Sequence, residues 1–287
     1  MDKEAKSGEI GSVTNALQLT PPVTNYGDIE NRKQVGIILY TRANYTSQTD
    51  PITGWRKSIY LKAGTEESIK KQIIEKFSNI RFDGKDYVFI YKDENTNKEW
   101  ELYSGKKGES LDRFRGKRKK EKNEWEIEKI DITQILDGVF AKFDKNNKNE
   151  SLLFQINKGV ELVKIDSKHG AWESLRFAID LIQQIRNTGT AKQDDDFILS
   201  PVCDDDGNRF DSRKAKDGEP NSGDANGAYN IARKGILMNE HIKLGYKLYI
   251  SDVEWDAWLA GKERWEEWIK ENEKDLIIKN NRNKLDN

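Results

Sequence analysis

Asp224-Ala225-Asn226-Gly227-Ala228-Tyr229-Asn230-Ile231 is the stretch on which the reading of this chain turns. It follows a turn-rich segment, Lys214 to Gly223, that holds Gly218, Pro220, Asn221 and Gly223, and it runs on into Ala232-Arg233-Lys234-Gly235. Asp224 suits a helix N-cap, Arg233 and Lys234 suit the negative end of the helix dipole, and Gly235 suits a stop, so a short helix is predicted over 224–235. Ala225, Gly227 and Ala228 are too small to obstruct a neighbouring backbone or a bulky ligand. A carboxylate at such a crowded helix start can lean on an adjacent sheet and present an oxygen to a metal ion. The residues alone leave both readings open, a cap or a ligand.

Outward from this helix, the pattern is mixed. Val35-Gly36-Ile37-Ile38-Leu39-Tyr40 is an unbroken apolar run of strand length, which predicts a strand covered on both faces. Asp50-Pro51-Ile52-Thr53-Gly54 is a turn. Ile69, Ile73, Ile74 and Phe77 fall at helical spacing behind Thr65-Glu66-Glu67-Ser68, predicting a helix over 65–77. Tyr87 to Tyr91 and Trp100 to Tyr103 bracket Asp93-Glu94-Asn95-Thr96-Asn97 as a hairpin. Trp172, Leu175, Ile179, Ile182 and Ile185 form a stripe that predicts a helix over 172–187 with Arg186 at its C-terminal end. A polar loop then leads to a strand, Phe197 to Val202. Asp204-Asp205-Asp206-Gly207-Asn208 is a turn, because an EF-hand register would put Arg209 where glycine is required and Ala215 where glutamate is required. Ser251-Asp252-Val253-Glu254 is a capping-box pattern ahead of Trp255, Trp258, Leu259, Trp265, Trp268 and Ile269, whose spacing suits helix packing rather than base stacking. The fold class is therefore α+β, with α/β character where the apolar strand falls.

With 287 residues the chain has room for one large domain or two. Charged residues make up 34%, no apolar run approaches bilayer length, and Met1-Asp2-Lys3-Glu4 opens no hydrophobic signal core, so a cytoplasmic location without membrane contact is expected. A single cysteine, Cys203, excludes an internal disulfide and a cysteine-based zinc site. Any metal must then be held by carboxylates, which favours magnesium or manganese. The net charge of −1 hides a segregated segment. Between Gly105 and Lys122, nine basic residues (Lys106, Lys107, Arg113, Arg115, Lys117, Arg118, Lys119, Lys120 and Lys122) face Glu109, Asp112 and Glu121, a local net of +6. Such a stretch is either a solvated face or a track for a nucleic-acid strand.

The Asp224 to Ile231 segment resembles the third RuvC motif of the type V-A CRISPR-associated effector nucleases, RNA-guided DNA endonucleases with a single RuvC site. Further segments resemble family landmarks, in family order: Leu17-Gln18-Leu19-Thr20, Val35 to Tyr40, Tyr45 to Gly54, Ile185-Arg186-Asn187, Leu199-Ser200-Pro201-Val202 and Phe210-Asp211-Ser212-Arg213. The resemblance covers about residues 11–250. It implies a split RNase H-like RuvC domain with an inserted α+β Nuc lobe: residues 1–45 ending one RuvC segment, 46–222 the Nuc lobe, and 223–287 the returning RuvC segment with C-terminal helices.

What the resemblance implies for chemistry attaches to three residues. Asp224 matches the third RuvC carboxylate, which with two others holds a pair of magnesium ions. Arg186 matches an arginine of the Nuc lobe needed for strand cleavage, and Asp196 a carboxylate near it. On local sequence, Arg186 is equally a cation at a helix C-terminus and Asp196 part of a solvated Asp194-Asp195-Asp196 loop. Lys106, Lys107, Arg113, Arg115, Lys117, Arg118, Lys119 and Lys120 would guide a DNA strand. The family's first aspartate and second-motif glutamate belong before Leu17, where no D-x-G or F-E-D-x-N segment occurs. The chain is accordingly expected to be the C-terminal piece of an effector, needing the N-terminal portion for guide RNA and for Mg²⁺ (or Mn²⁺), and inactive alone. A non-catalytic nucleic-acid-binding module and a decayed gene fragment are the alternatives.

Overall fold

The computed structural model describes residues 41–119, 124–147, 149–188, 196–247 and 249–277. The strand expected over Val35 to Tyr40 and the landmark at Leu17 lie outside the described residues. The chain divides into two units, Ser47–Gly227 and a smaller one made of Met1–Thr46 with Ala228–Asn287.

In the larger unit, helix α1 (Glu66–Lys76) starts on Thr65, whose hydroxyl accepts from Ser68 N, and buries Ile69 and Ile73. A three-stranded antiparallel meander follows: β1 (Asn79–Phe82), β2 (Tyr87–Lys92) and β3 (Glu99–Tyr103), with β2 central. The register sets Phe89 opposite Ile80 on one side and Leu102 on the other, and all three are fully buried. The β2–β3 turn closes through Asp93, whose Oδ1 accepts from Asn95 N and Thr96 N at 2.9 Å each. Two further hairpins pair β4 (Gly105–Lys106) with β5 (Glu109–Ser110) and β6 (Arg113–Lys119) with β7 (Glu124–Ile130). Helices α2 (Ile132–Val139), α3 (Leu152–Asn157) and α4 (Ala171–Ile182) complete the core, packing Leu136, Phe140, Leu175 and Ile179 into the same cluster as Ile73 and Phe89. The pair β8 (Arg186–Thr188) and β9 (Asp196–Ile198) closes this unit. The architecture is mixed α+β, of small antiparallel sheets and helices.

Helix α4 stops at Ile182, short of the expected Asn187. Its terminal carbonyls are taken by a residue distant in sequence: the Arg113 guanidinium donates from Nε to Leu181 O (2.8 Å) and from Nη2 to Ile182 O (3.1 Å). Gln183 then turns its amide onto the backbone of Ile59. Arg186 is therefore the first residue of a strand, and the helix C-terminal reading of it is overturned.

In the smaller unit, α6 (Asp252–Leu259) and α7 (Lys262–Leu276) pack with α5 (Gly223–Leu244), whose first turn counts with the larger unit. The capping box at Ser251 and Glu254 forms as expected. Trp255, Trp265 and Trp268 are buried with Leu237 and Leu276, so the tryptophans pack rather than present base platforms. Gly235 does not end α5. A glycine inside a helix costs only about 1 kcal/mol, and burial of Leu237 and Met238 just beyond it outweighs that. Among the described residues no helix is long and apolar enough to cross a membrane.

Candidate functional site

Arg186, Asp196 and Asp224, separated by up to 38 positions, meet at one point of the larger unit. The strand pairing sets Arg186 opposite Ile198 and Thr188 opposite Asp196, so Arg186 and Asp196 stand at opposite ends of the three-pair β8–β9 ladder, on one face and diagonal to each other. Arg186 forks onto Asp196, with Nε to Oδ1 at 2.9 Å and Nη2 to Oδ2 at 2.7 Å. The same Nη2 donates to Asp224 Oδ1 at 2.8 Å. Hydrogen bonding to Asp196, and secondarily to Asp224, holds the guanidinium pKa above its already high ordinary value. Asp196 is nearly buried (11% of its side chain exposed), whereas Asp224 is 90% exposed, so the arginine links an anchored carboxylate to a presented one. Among the described residues Nη1 of Arg186 has no acceptor, which leaves an N–H pair facing outward.

Asp224 is not the cap of its helix. Ser222 takes that place, accepting Ala225 N at its hydroxyl (3.1 Å) and Asn226 N at its carbonyl (2.9 Å), and this frees the aspartate one residue inside the first turn. A carboxylate there is favoured by the unpaired amides of the helix start. Asn226, fully buried, fixes the turn by donating Nδ2 to Thr49 O at 2.9 Å. Further along the helix, Asn230 donates to Thr46 O (3.0 Å) and the Lys234 ammonium to the carbonyls of Arg42 and Asn44. The spacing Asn226, Asn230, Lys234 is four residues each time, and this regular interval is the sequence signal of a polar stripe that a search for catalytic motifs passes over. Gly223 is also part of the site. A Cβ there would lie 2.3 Å from Asp196 Oδ2 and 2.7 Å from Arg186 Nε, so the fork occupies space that a side chain would claim.

The described basic residues of the 105–122 segment stand in different settings. Arg113 is fully buried, held on backbone carbonyls, and cannot reach a ligand. Lys106 stands in β4 and Lys107 in the tight β4–β5 turn, both exposed. Arg115 lies over the Phe177 ring, 5.0 Å from its centroid. Lys117, Arg118 and Lys119 lie in β6, where the register sets Arg115, Lys117 and Lys119 opposite Glu128, Glu126 and Glu124. The register therefore aligns a basic stretch of β6 with an acidic stretch of β7. Lys120 lies outside the described residues.

Among the described residues no group of three or more His, Cys, Asp or Glu is placed to hold a metal ion. Asp224 offers one carboxylate, already engaged by arginine. By themselves, the described residues do not make a divalent-ion site.

Comparison with known families places a nuclease-domain model, designated NUC, on residues 49–214, more than half of the chain. The matched span contains Arg186 and Asp196 and ends ten residues before Asp224.

Proposed function

The chain belongs to the NUC nuclease-domain family, and from this premise we propose that it is the C-terminal nuclease portion of a type V-A CRISPR effector, an RNA-guided DNA endonuclease. The observation that carries the proposal is the Arg186 fork: an arginine fixed by a nearly buried aspartate, touching an exposed aspartate at a helix start, with one N–H pair unspent. In this reading Arg186 lends its outward N–H groups to a phosphate oxygen of the target strand as charge develops there, and Asp196 keeps the guanidinium plane in place. Asp224 is one carboxylate of a three-carboxylate site. The other two belong to another portion of the effector, which also carries the guide RNA, and Mg²⁺ or Mn²⁺ is held only when all three are assembled. Phosphodiester hydrolysis is thus a property of the assembled effector acting on DNA strands, and the chain alone is inactive.

Two measurements test this. The purified 287-residue chain, given Mg²⁺ and labelled single- and double-stranded DNA, should show no cleavage above background, and robust cleavage by it would sink the dependence on outside carboxylates. In the assembled effector, Asp224→Ala should abolish cleavage, and Arg186→Ala should slow it on the order of 10²-fold. Full activity of either variant would remove that residue from the site.

A further inference from the structure

The β8–β9 ladder that carries the fork is three pairs long, and a two-stranded pair of that length is marginal by itself in water. Its register matters to the site, because a slip of one residue would turn Arg186 and Asp196 to opposite faces and part them. The ladder is held at its root. Leu199 N donates to Ile185 O at 2.9 Å, one bond beyond the Arg186–Ile198 pair. Beside that bond, Arg113 Nη2 donates both to Ile182 O and to Leu199 O, at 3.1 Å each. A single nitrogen carried by β6 thus joins the chain that enters β8 to the chain that leaves β9. Nε of the same guanidinium holds Leu181 O at 2.8 Å and Nη1 holds Asp112 O at 3.0 Å, so the group is pinned on every side of its plane.

The same strand ties β8 a second time. Gln184, between α4 and β8, donates Nε2 to Phe114 O at 2.9 Å and to Asn187 Oδ1 at 3.1 Å, and the buried Asn187 returns Nδ2 to Ile185 O at 3.2 Å. A helix cap needs only the carbonyls of Leu181 and Ile182. The bond to Leu199 O is surplus to a cap, and it falls on the residue that follows the strand of Asp196. Three buried carbonyls around one point call for a planar, many-armed donor, which a lysine ammonium is not. We propose that Arg113, with Gln184 as a second tie, is a positioning residue of the Arg186 fork: it fixes the register of β8 on β9, and with it the diagonal on which Arg186 meets Asp196, and takes no part in holding DNA. The proposal rests on the reading of the fork as the group that faces the phosphate.

Two readouts test it, one without catalysis. In the full chain, hydrogen exchange of the Arg186 Nε–H, which donates to Asp196 Oδ1, is followed by ¹⁵N–¹H NMR, with the signal assigned by its loss in Arg186→Lys. Arg113→Lys keeps the charge without the planar fork and should speed that exchange ~10-fold or more, as the ladder opens from its root. Gln184→Met cuts only the second tie and leaves the buried guanidinium in place, so it should speed exchange by a smaller factor and serves if the lysine variant does not fold. Exchange at the native rate in every folded variant would overturn the proposal. In the assembled effector, Arg113→Lys should slow cleavage ~10-fold with DNA affinity unchanged, since a group misplaced by about 1 Å loses rate rather than binding. In an Arg186→Ala background the same change should cost less than ~2-fold, because the residue it positions is already gone. Equal slowing in both backgrounds would mark a general structural role and overturn the proposal. So would a loss confined to DNA affinity with a flatter salt dependence, which would make Arg113 a strand contact. Full activity of Arg186→Ala would sink the fork's part in cleavage, and the exchange measurement alone would then decide whether Arg113 holds the fork.

Discussion

Arg113 spends its guanidinium on carbonyl oxygens, those of Leu181, Ile182 and Leu199 from within the core and its neighbour Asp112. Burial lowers its pKa to about 9, because a guanidinium without a carboxylate in hydrogen-bond contact loses solvation that these carbonyls only partly replace. Replacing it by methionine removes the charge but strands buried acceptors, each at about 1–3 kcal/mol. Arg113→Met should therefore destabilise the chain by at least ~2 kcal/mol in urea denaturation, and an unchanged midpoint would contradict this account. Arg113 and Lys106 look alike in the sequence, two cations in one basic run. What separates them is the end of a helix 68 residues away, which no local pattern announces. Arg186 differs in kind: its strand-end placement was not legible, yet its meeting with Asp196 and Asp224 follows the order of the family landmarks rather than any spacing.

At the scale of elements, caps decide where helices begin and end. Gly170, at the N-cap of α4, offers no side chain, and the carboxylate of Glu66 fills its place, accepting Trp172 N at 3.0 Å and Glu173 N at 3.2 Å. One acidic residue in the first turn of α1 thus caps a second helix more than a hundred residues on. Glu66→Ala should cost about 1 kcal/mol, as the loss of a capping side chain does, and Glu66→Gln should recover part of it through the remaining oxygen. Chemical denaturation of both variants checks this, and equal stability of all three proteins would exclude the cap. Elements whose signals are local were legible: α1 behind Thr65, the hairpin around Asp93, the capping box at Ser251. Those fixed by distant partners were not. The end of α4 depends on Arg113, the start of α5 on Ser222 rather than Asp224, and the persistence of α5 past Gly235 on burial of Leu237 and Met238.

Across the described residues the buried apolar side chains gather into two clusters, one within each unit, and the ionisable groups buried with them differ. The smaller unit encloses His241, fully buried between α5, α6 and the chain after α5. Its Nε2 lies 2.7 Å from Glu254 Oε1 on α6 and its Nδ1 faces the Lys247 carbonyl, while Trp265 of α7 stacks on the ring and Tyr246 meets it edge-on. Both ring nitrogens thus face acceptors, an arrangement that suits the doubly protonated imidazolium. Burial opposes that charge, but the Glu254 carboxylate, the Lys247 carbonyl and Glu240 outweigh it and hold the pKa above the ordinary 6.5. The sign follows from linkage. A raised folded-state pKa gives stability that is fully present below the unfolded value near 6.5 and is lost as pH rises through the folded value. Glu254 also receives Ser251 N at 3.1 Å, so the same carboxylate that pairs with the histidine closes the capping box of α6. Thermal unfolding of the full chain should accordingly show a midpoint that falls as pH rises above the ordinary histidine value of 6.5, and His241→Gln should flatten that fall while lowering stability most at the acid end. An identical pH profile in the His241→Gln variant would show that the imidazolium is not what joins α5 to α6.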